Sequence, residues 1–133
     1  MAYHHLNYLT ACKNCNSIRK KNYFRIAGKR KRGGRDPADM ASEMPYLIYP
    51  LSDIDEDPEL LIEFVGVYPR PRRGLNGFGQ LRARVTIEVF GLDDEDERKD
   101  LLIDRIETLE TVYLALKGRE DFASAATGPL PSR

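Results

Sequence analysis

The chain has 133 residues, with 21 Lys or Arg against 21 Asp or Glu, so its formal charge is zero. A domain of this length can bury about two-thirds of its unfolded surface, enough for a real core. No apolar run approaches the roughly 18 residues of a membrane span, and the start MAYHHLNYLTACKNCN lacks the basic-then-apolar pattern of a signal peptide, so no membrane partner and a cytoplasmic location are expected.

The neutral total hides a sorting of charge along the chain. Residues 1–35 hold ten Lys or Arg and no acid, whereas 36–133 hold eleven basic residues and all 21 acids. Such asymmetry points to a polyanion partner for the basic part. It also suggests a division into a basic head (1–35), a mixed remainder (36–118) and a small, polar, disordered tail (119–133).

In chain order, Ala2–Cys15 has helix-compatible spacing at Leu6 and Leu9 and ends in the tight turn Cys12-Lys13-Asn14-Cys15. A short basic helix from Asn16 to Phe24 is expected next. Residues 28–45 are rich in Gly, Pro and charge and read as a loop. Tyr46–Pro50 is a short extended piece, the acidic Asp53–Asp57 reads as surface, and Pro58 opens a turn. Leu60–Tyr68 has the β-branched and aromatic content of a strand, and Pro69–Gly79 that of a turn-rich connection. Arg82–Phe90 alternates, with Val85, Ile87 and Val89 on one face and Arg84, Thr86 and Glu88 on the other, which predicts a strand. Leu92–Lys117 predicts an amphipathic helix. Acids occupy its start, Leu102, Ile106, Leu109, Tyr113 and Leu116 form its stripe, and Gly118 stops it. The expected fold class is therefore α+β, with a few short strands and a long C-terminal amphipathic helix.

Three groups of residues could carry chemistry. Cys12 and Cys15 are the only cysteines, and in a reducing compartment two thiols at this spacing are more often a metal or redox pair than a disulfide. Structural zinc takes four ligands, so they make half a Zn²⁺ site or two free thiols. His4 and His5 are the only histidines, but neighbours on a helix point about 100° apart and do not readily complete such a site together. A thioredoxin-like role lacks its βαβ setting. The third group is Arg19, Lys20 and Lys21 with Lys29, Arg30, Lys31 and Arg32, flanking Tyr23-Phe24. Such a cluster attracts phosphates by Coulomb energy and counterion release.

The order of residues adds a resemblance. Ala2-Tyr3, Asn7, Cys12-x-x-Cys15-Asn16, a basic residue at 19 and Asn22-Tyr23-Phe24 resemble HNH endonucleases of the branch found in Septu-like and retron-associated defence systems. Glu43-x-Pro45-x-Leu47-Ile48-x-Pro50 and Thr86-Ile87-Glu88-Val89-Phe90-Gly91-Leu92 are similar to later segments of that branch, so the likeness spans 2–117. The resemblance implies a partial ββα-metal unit, in which Asn7 holds a hairpin and orients a general base. It implies that Asn16, where the family has His, lies at a Mg²⁺ or Mn²⁺ ion. It makes Cys12 and Cys15 the second half of a four-cysteine zinc site and brings Arg19, Lys20 and Lys21 to phosphate.

The family places a first CxxC and a general-base His upstream of this pattern, and neither has a counterpart in these residues. A base activates the attacking water while the metal stabilises the leaving oxygen. The expectation is therefore an HNH-like protein that lacks its catalytic front half and binds nucleic acid, DNA above all, without efficient cleavage unless a fragment or partner subunit completes it. The alternative is a non-catalytic subunit that docks helix 92–117 onto a partner such as a defence ATPase.

Overall fold

The computed structural model describes residues 11–33, 37–51 and 54–126. Its regular elements are a one-turn helix α1 (Pro58–Leu61), strands β1 (Ile62–Val65) and β2 (Tyr68–Pro71), and helices α2 (Gly77–Phe90) and α3 (Lys99–Ala126). A π-helical turn, Asn14–Lys20, and a 3₁₀ segment, Pro37–Glu43, precede them. Helices, one small sheet and a long C-terminal helix make this a mixed α and β chain. Among the described residues no helix is long and apolar enough to cross a membrane.

The segment expected as one strand, Leu60–Tyr68, folds instead as an antiparallel hairpin. Ile62 pairs with Pro71 and Val65 with Tyr68 around a two-residue turn at Gly66-Val67. Asp57 starts α1, its side chain accepting the Glu59 amide at 2.9 Å, with Pro58 at the first helical position.

Arg82–Phe90, expected as a strand, is the body of α2. The Asn76 side chain caps its start by accepting the Gly79 amide at 2.7 Å, and Gly91 ends it in the left-handed region at φ 56°. Its buried residues are Gly79, Arg82, Ala83, Thr86 and Ile87, spaced three and one in turn, which is one face of a helix. The β-alternation of Val85, Ile87 and Val89 is therefore not the pattern of burial.

The core gathers Leu47, Ile48, Leu61, Ala83 and Ile87, with Ile62 and Leu75 packed beside it. The 45–49 segment, bent at Tyr46 and Leu47, packs on α2, where the Ile48 amide donates to Thr86 Oγ1 at 3.1 Å. Arg82, 4% exposed, fixes this arrangement. Its Nε donates to the Pro45 carbonyl at 3.0 Å and its Nη2 to that of Leu47 at 3.3 Å, while both terminal nitrogens grip the Asp55 carboxylate. Asp55 also accepts the Tyr49 amide at 2.9 Å and the Glu56 amide at 2.8 Å. The acidic stretch expected on the surface thus supplies one carboxylate to the interior.

The C-terminal helix also departs from expectation. Asp93–Glu97 forms a turn in which Asp94 Oδ1 accepts the Glu97 amide at 2.9 Å, and α3 begins only at Lys99. The helix passes Gly118 and ends at Ala126, so Gly118 is no stop and 119–126 is helical, not a disordered tail. Residues 127–133 lie outside the described residues.

Candidate nucleic-acid interface and the cysteine pair

The described part of the basic head joins the body in two places. Residues 25–28 pair with 43–46: Ala27 and Gly28 donate to the carbonyls of Met44 and Glu43, both at 2.9 Å, and Tyr46 donates back to Arg25 at 3.1 Å. Gly28 is needed there, because a Cβ would lie 2.6 Å from the Ser42 carbonyl oxygen. The second place is Arg19. Its Nη2 reaches Asp94 at 2.7 Å and Glu97 at 2.6 Å, and its Nε is buried without an acceptor among the described residues. Its guanidinium lies over Gly91, where a Cβ would come within 1.9 Å of Nη1.

The turn Asn14–Lys20, which carries Arg19, is wound wide, the Lys21 amide donating to the Asn16 carbonyl at 3.0 Å, with Lys21 at φ 45°. Its first residues place the thiols. The Cys15 amide donates to Cys12 Sγ at 3.3 Å, the amide-to-sulfur contact that favours a thiolate in such a turn. That amide, with the hydrogen bond between the two sulfurs, holds the Cys12 thiol below its ordinary value. Burial pushes the Cys15 thiol up, helped by the same bond to Cys12 and opposed by Arg98. Arg98, 3% exposed, sets its Nη1 3.5 Å from Cys15 Sγ and 3.1 Å from the Phe90 carbonyl.

This is the donor chemistry of half a zinc site. Both cysteines are free, and among the described residues no third His, Cys, Asp or Glu gathers with them. His4, His5 and Asn7 lie outside the described residues. Asn16 is exposed, and no acidic cluster able to hold a hard cation surrounds it among the described residues. The described residues therefore fit half a zinc site, and at Asn16 they gather no carboxylates for Mg²⁺ or Mn²⁺. The hairpin that the resemblance implies at Asn7 falls on residues outside the described ones. The hairpin that is present, 62–71, holds no His or Cys.

The expected phosphate contacts divide sharply. Arg19 is tied to two carboxylates. Lys20 is half-buried, and Lys21, Lys29, Arg30, Lys31 and Arg32 are exposed without an ion-pair partner among the described residues. Arg30 and Lys31 instead donate to the backbone carbonyls of Phe24 at 3.4 Å and Asp39 at 3.3 Å, contacts that leave their charges uncompensated.

The structure adds Arg25, which the motifs do not single out, and sets it beside Tyr23. Exposed Arg25 and Tyr23 line an open groove of about 440 Å³ whose floor is Leu47, Val85 and Val89, with Arg19 and Glu88 at its rim. Arg25 is visible in the sequence as one more cation of the head, but its place beside an aromatic over an apolar floor comes only from the pairing of 25–28 with 43–46. No protein-family model, curated protein or solved structure matches this chain.

Proposed function

We propose that this chain binds nucleic acid through the exposed cations of its head, Lys21, Arg25 and Lys29–Arg32, with Tyr23 and the groove beside it as a place for a base to stack. The observation that carries the reading is the absence of carboxylate partners for these side chains among the described residues, in a chain whose body has acids in excess and uses them on Arg19 and Arg82. Cations left uncompensated beside an exposed aromatic suit a phosphate backbone with unstacked bases.

The resemblance to HNH endonucleases supports the finer reading: DNA as the polymer, Cys12 and Cys15 as half of a structural zinc site, and Asn7 and Asn16 as remnants of a cleavage centre. Because the general base and a full ligand set have no counterpart among the residues in view, the isolated chain binds and does not cut efficiently.

The test is binding to labelled single- and double-stranded DNA across a salt series. Replacing Lys29, Arg30, Lys31 and Arg32 together by Ala should weaken binding at low salt at least tenfold. It should also flatten the slope of log K against log salt by about 0.7–0.9 for each phosphate no longer neutralised. Unchanged affinity would sink the proposal. Plasmid nicking by the chain with Mg²⁺ or Mn²⁺, lost in Asn16→Ala, would replace the binding-only reading with a nuclease.

A further inference from the structure

Helix α3 is 28 residues long, yet its packing against the body is concentrated in its first two turns. Leu101 and Leu102 are half-buried, and Arg105 donates through Nη1 to the carbonyls of Leu92 at 2.7 Å and Val67 at 3.2 Å while lying over the Phe64 ring. Beyond that, large apolar side chains face solvent: Ile106, Leu109, Val112, Tyr113, Leu114 and Leu116. A lone helix does not hold so apolar a surface in water without a partner.

The spacing says what kind of partner. Leu102, Ile106, Leu109, Tyr113 and Leu116 recur at intervals of four, three, four and three. That is the 3.5-residue repeat of a coiled-coil seam, with Val112 beside it at g and Leu114 away from it at b. Ile106 and Tyr113 fall at a positions, and Leu102, Leu109 and Leu116 at d. Within parallel pairings, Ile at a, here Ile106, with Leu at d favours two strands.

The flanking charges choose the parallel arrangement. In this register Arg105 is at g and Glu110 at the following e, so in a parallel pair Arg105 of each chain faces Glu110 of the other, twice per dimer. In the antiparallel pairing that aligns the same apolar layers, Glu110 would face Glu110, and Arg105 would face Arg119. Arg105 has no carboxylate within 4 Å among the described residues, and none of them offers an acceptor to its Nε or Nη2. Among the described residues this half-buried guanidinium has no counter-ion, and an acid from a second chain would supply one.

We propose that the face of α3 is covered by α3 of a second copy of this chain, in a parallel two-stranded coiled coil centred on Ile106–Leu116. This goes beyond nucleic-acid binding by the head and stands or falls separately from it. A seam of about two heptads is short, so the association is weak enough to read by concentration.

The test is sedimentation equilibrium of the full chain from about 1 to about 200 µM, with TCEP and EDTA present so that neither disulfides nor shared metal can join the cysteines. A reversible dimer is expected. Tyr113→Asp and Leu116→Asp, at exposed positions, should each raise the dissociation constant at least tenfold while a cooperative melt persists. Glu110→Gln should weaken a parallel dimer by about two- to fivefold, because it removes both cross-chain pairs. The same change would tighten an antiparallel dimer by relieving the Glu110–Glu110 contact. A monomer throughout the range, a dimer indifferent to both Asp variants, or one tightened by Glu110→Gln would overturn the proposal.

Discussion

Arg82 and Asp55 show how a single residue decides whether a charge builds the fold or faces a partner. The Arg82 guanidinium is buried, and each of its nitrogens has an acceptor: the carbonyls of Pro45 and Leu47 and the Asp55 carboxylate. Removing one member of such a pair strands the other charge away from water. Arg82→Met is therefore expected to cost about 3–5 kcal/mol in denaturant unfolding, whereas Arg84→Met, at an exposed position two residues on, should change little. The pair also sets an acid limit. Burial raises the Asp55 pKa, but Arg82 and the amides of Tyr49 and Glu56 outweigh it, so the folded value lies below the ordinary one. The stabilisation is then fully present above the unfolded pKa of about 4 and is lost as pH falls through the depressed folded value. Asp55→Asn should flatten the dependence of melting temperature on pH in that acid window. None of this could be read from the residue types, since Arg82 and Arg84 look alike until the helix places one inward and the other outward.

At the scale of elements, α2 was the hardest to read and α3 among the easiest. In α2 three β-branched residues alternate with polar ones, while the inward face consists of Gly79, Arg82, Ala83, Thr86 and Ile87, only one of them a large apolar residue. A helical period written in small and polar residues is invisible to a hydrophobicity pattern, and tertiary contacts to Ile48 and Leu61 override the local strand preference. Its punctuation, Asn76 three residues before Gly79 and Gly91 after Phe90, goes unread in the sequence because a strand there calls for neither cap. Gly91 also has a second duty, because its missing side chain leaves room for Arg19. Gly91→Ala should therefore destabilise by about 1–3 kcal/mol in thermal or urea unfolding, through left-handed strain and the displacement of Arg19. Arg19→Ala in the same background should absorb part of that loss, since the clash disappears with the guanidinium. For α3 the apolar stripe was legible but its ends were not: the acids of the expected first turn lie before the helix, and Gly118 lies inside it.

At the scale of the whole molecule, the neutral charge is the sum of parts with different tasks. Among the described residues the head keeps most of its cations without a carboxylate partner, the body neutralises a chosen few, and α3 extends well beyond the residues that hold it. Its distal turns contribute little to the stability of one chain, so a chain ending after Glu110 should melt within about 3 °C of the full chain at low concentration, as differential scanning fluorimetry would show. The same truncation removes Tyr113 and Leu116 and should abolish self-association. Arg98 has a consequence for how these parts communicate. One guanidinium touches the Cys15 sulfur, the last carbonyl of α2 and, through Asp100 at 3.4 Å, the first turn of α3. Any event that changes the charge on that sulfur, whether metal capture or oxidation, alters the field at the root of α3. Linkage would make the traffic reciprocal: if metal capture or oxidation at the thiols shifts the equilibrium at the helix root, an event that fixes the root shifts the affinity of the thiol pair by the same factor.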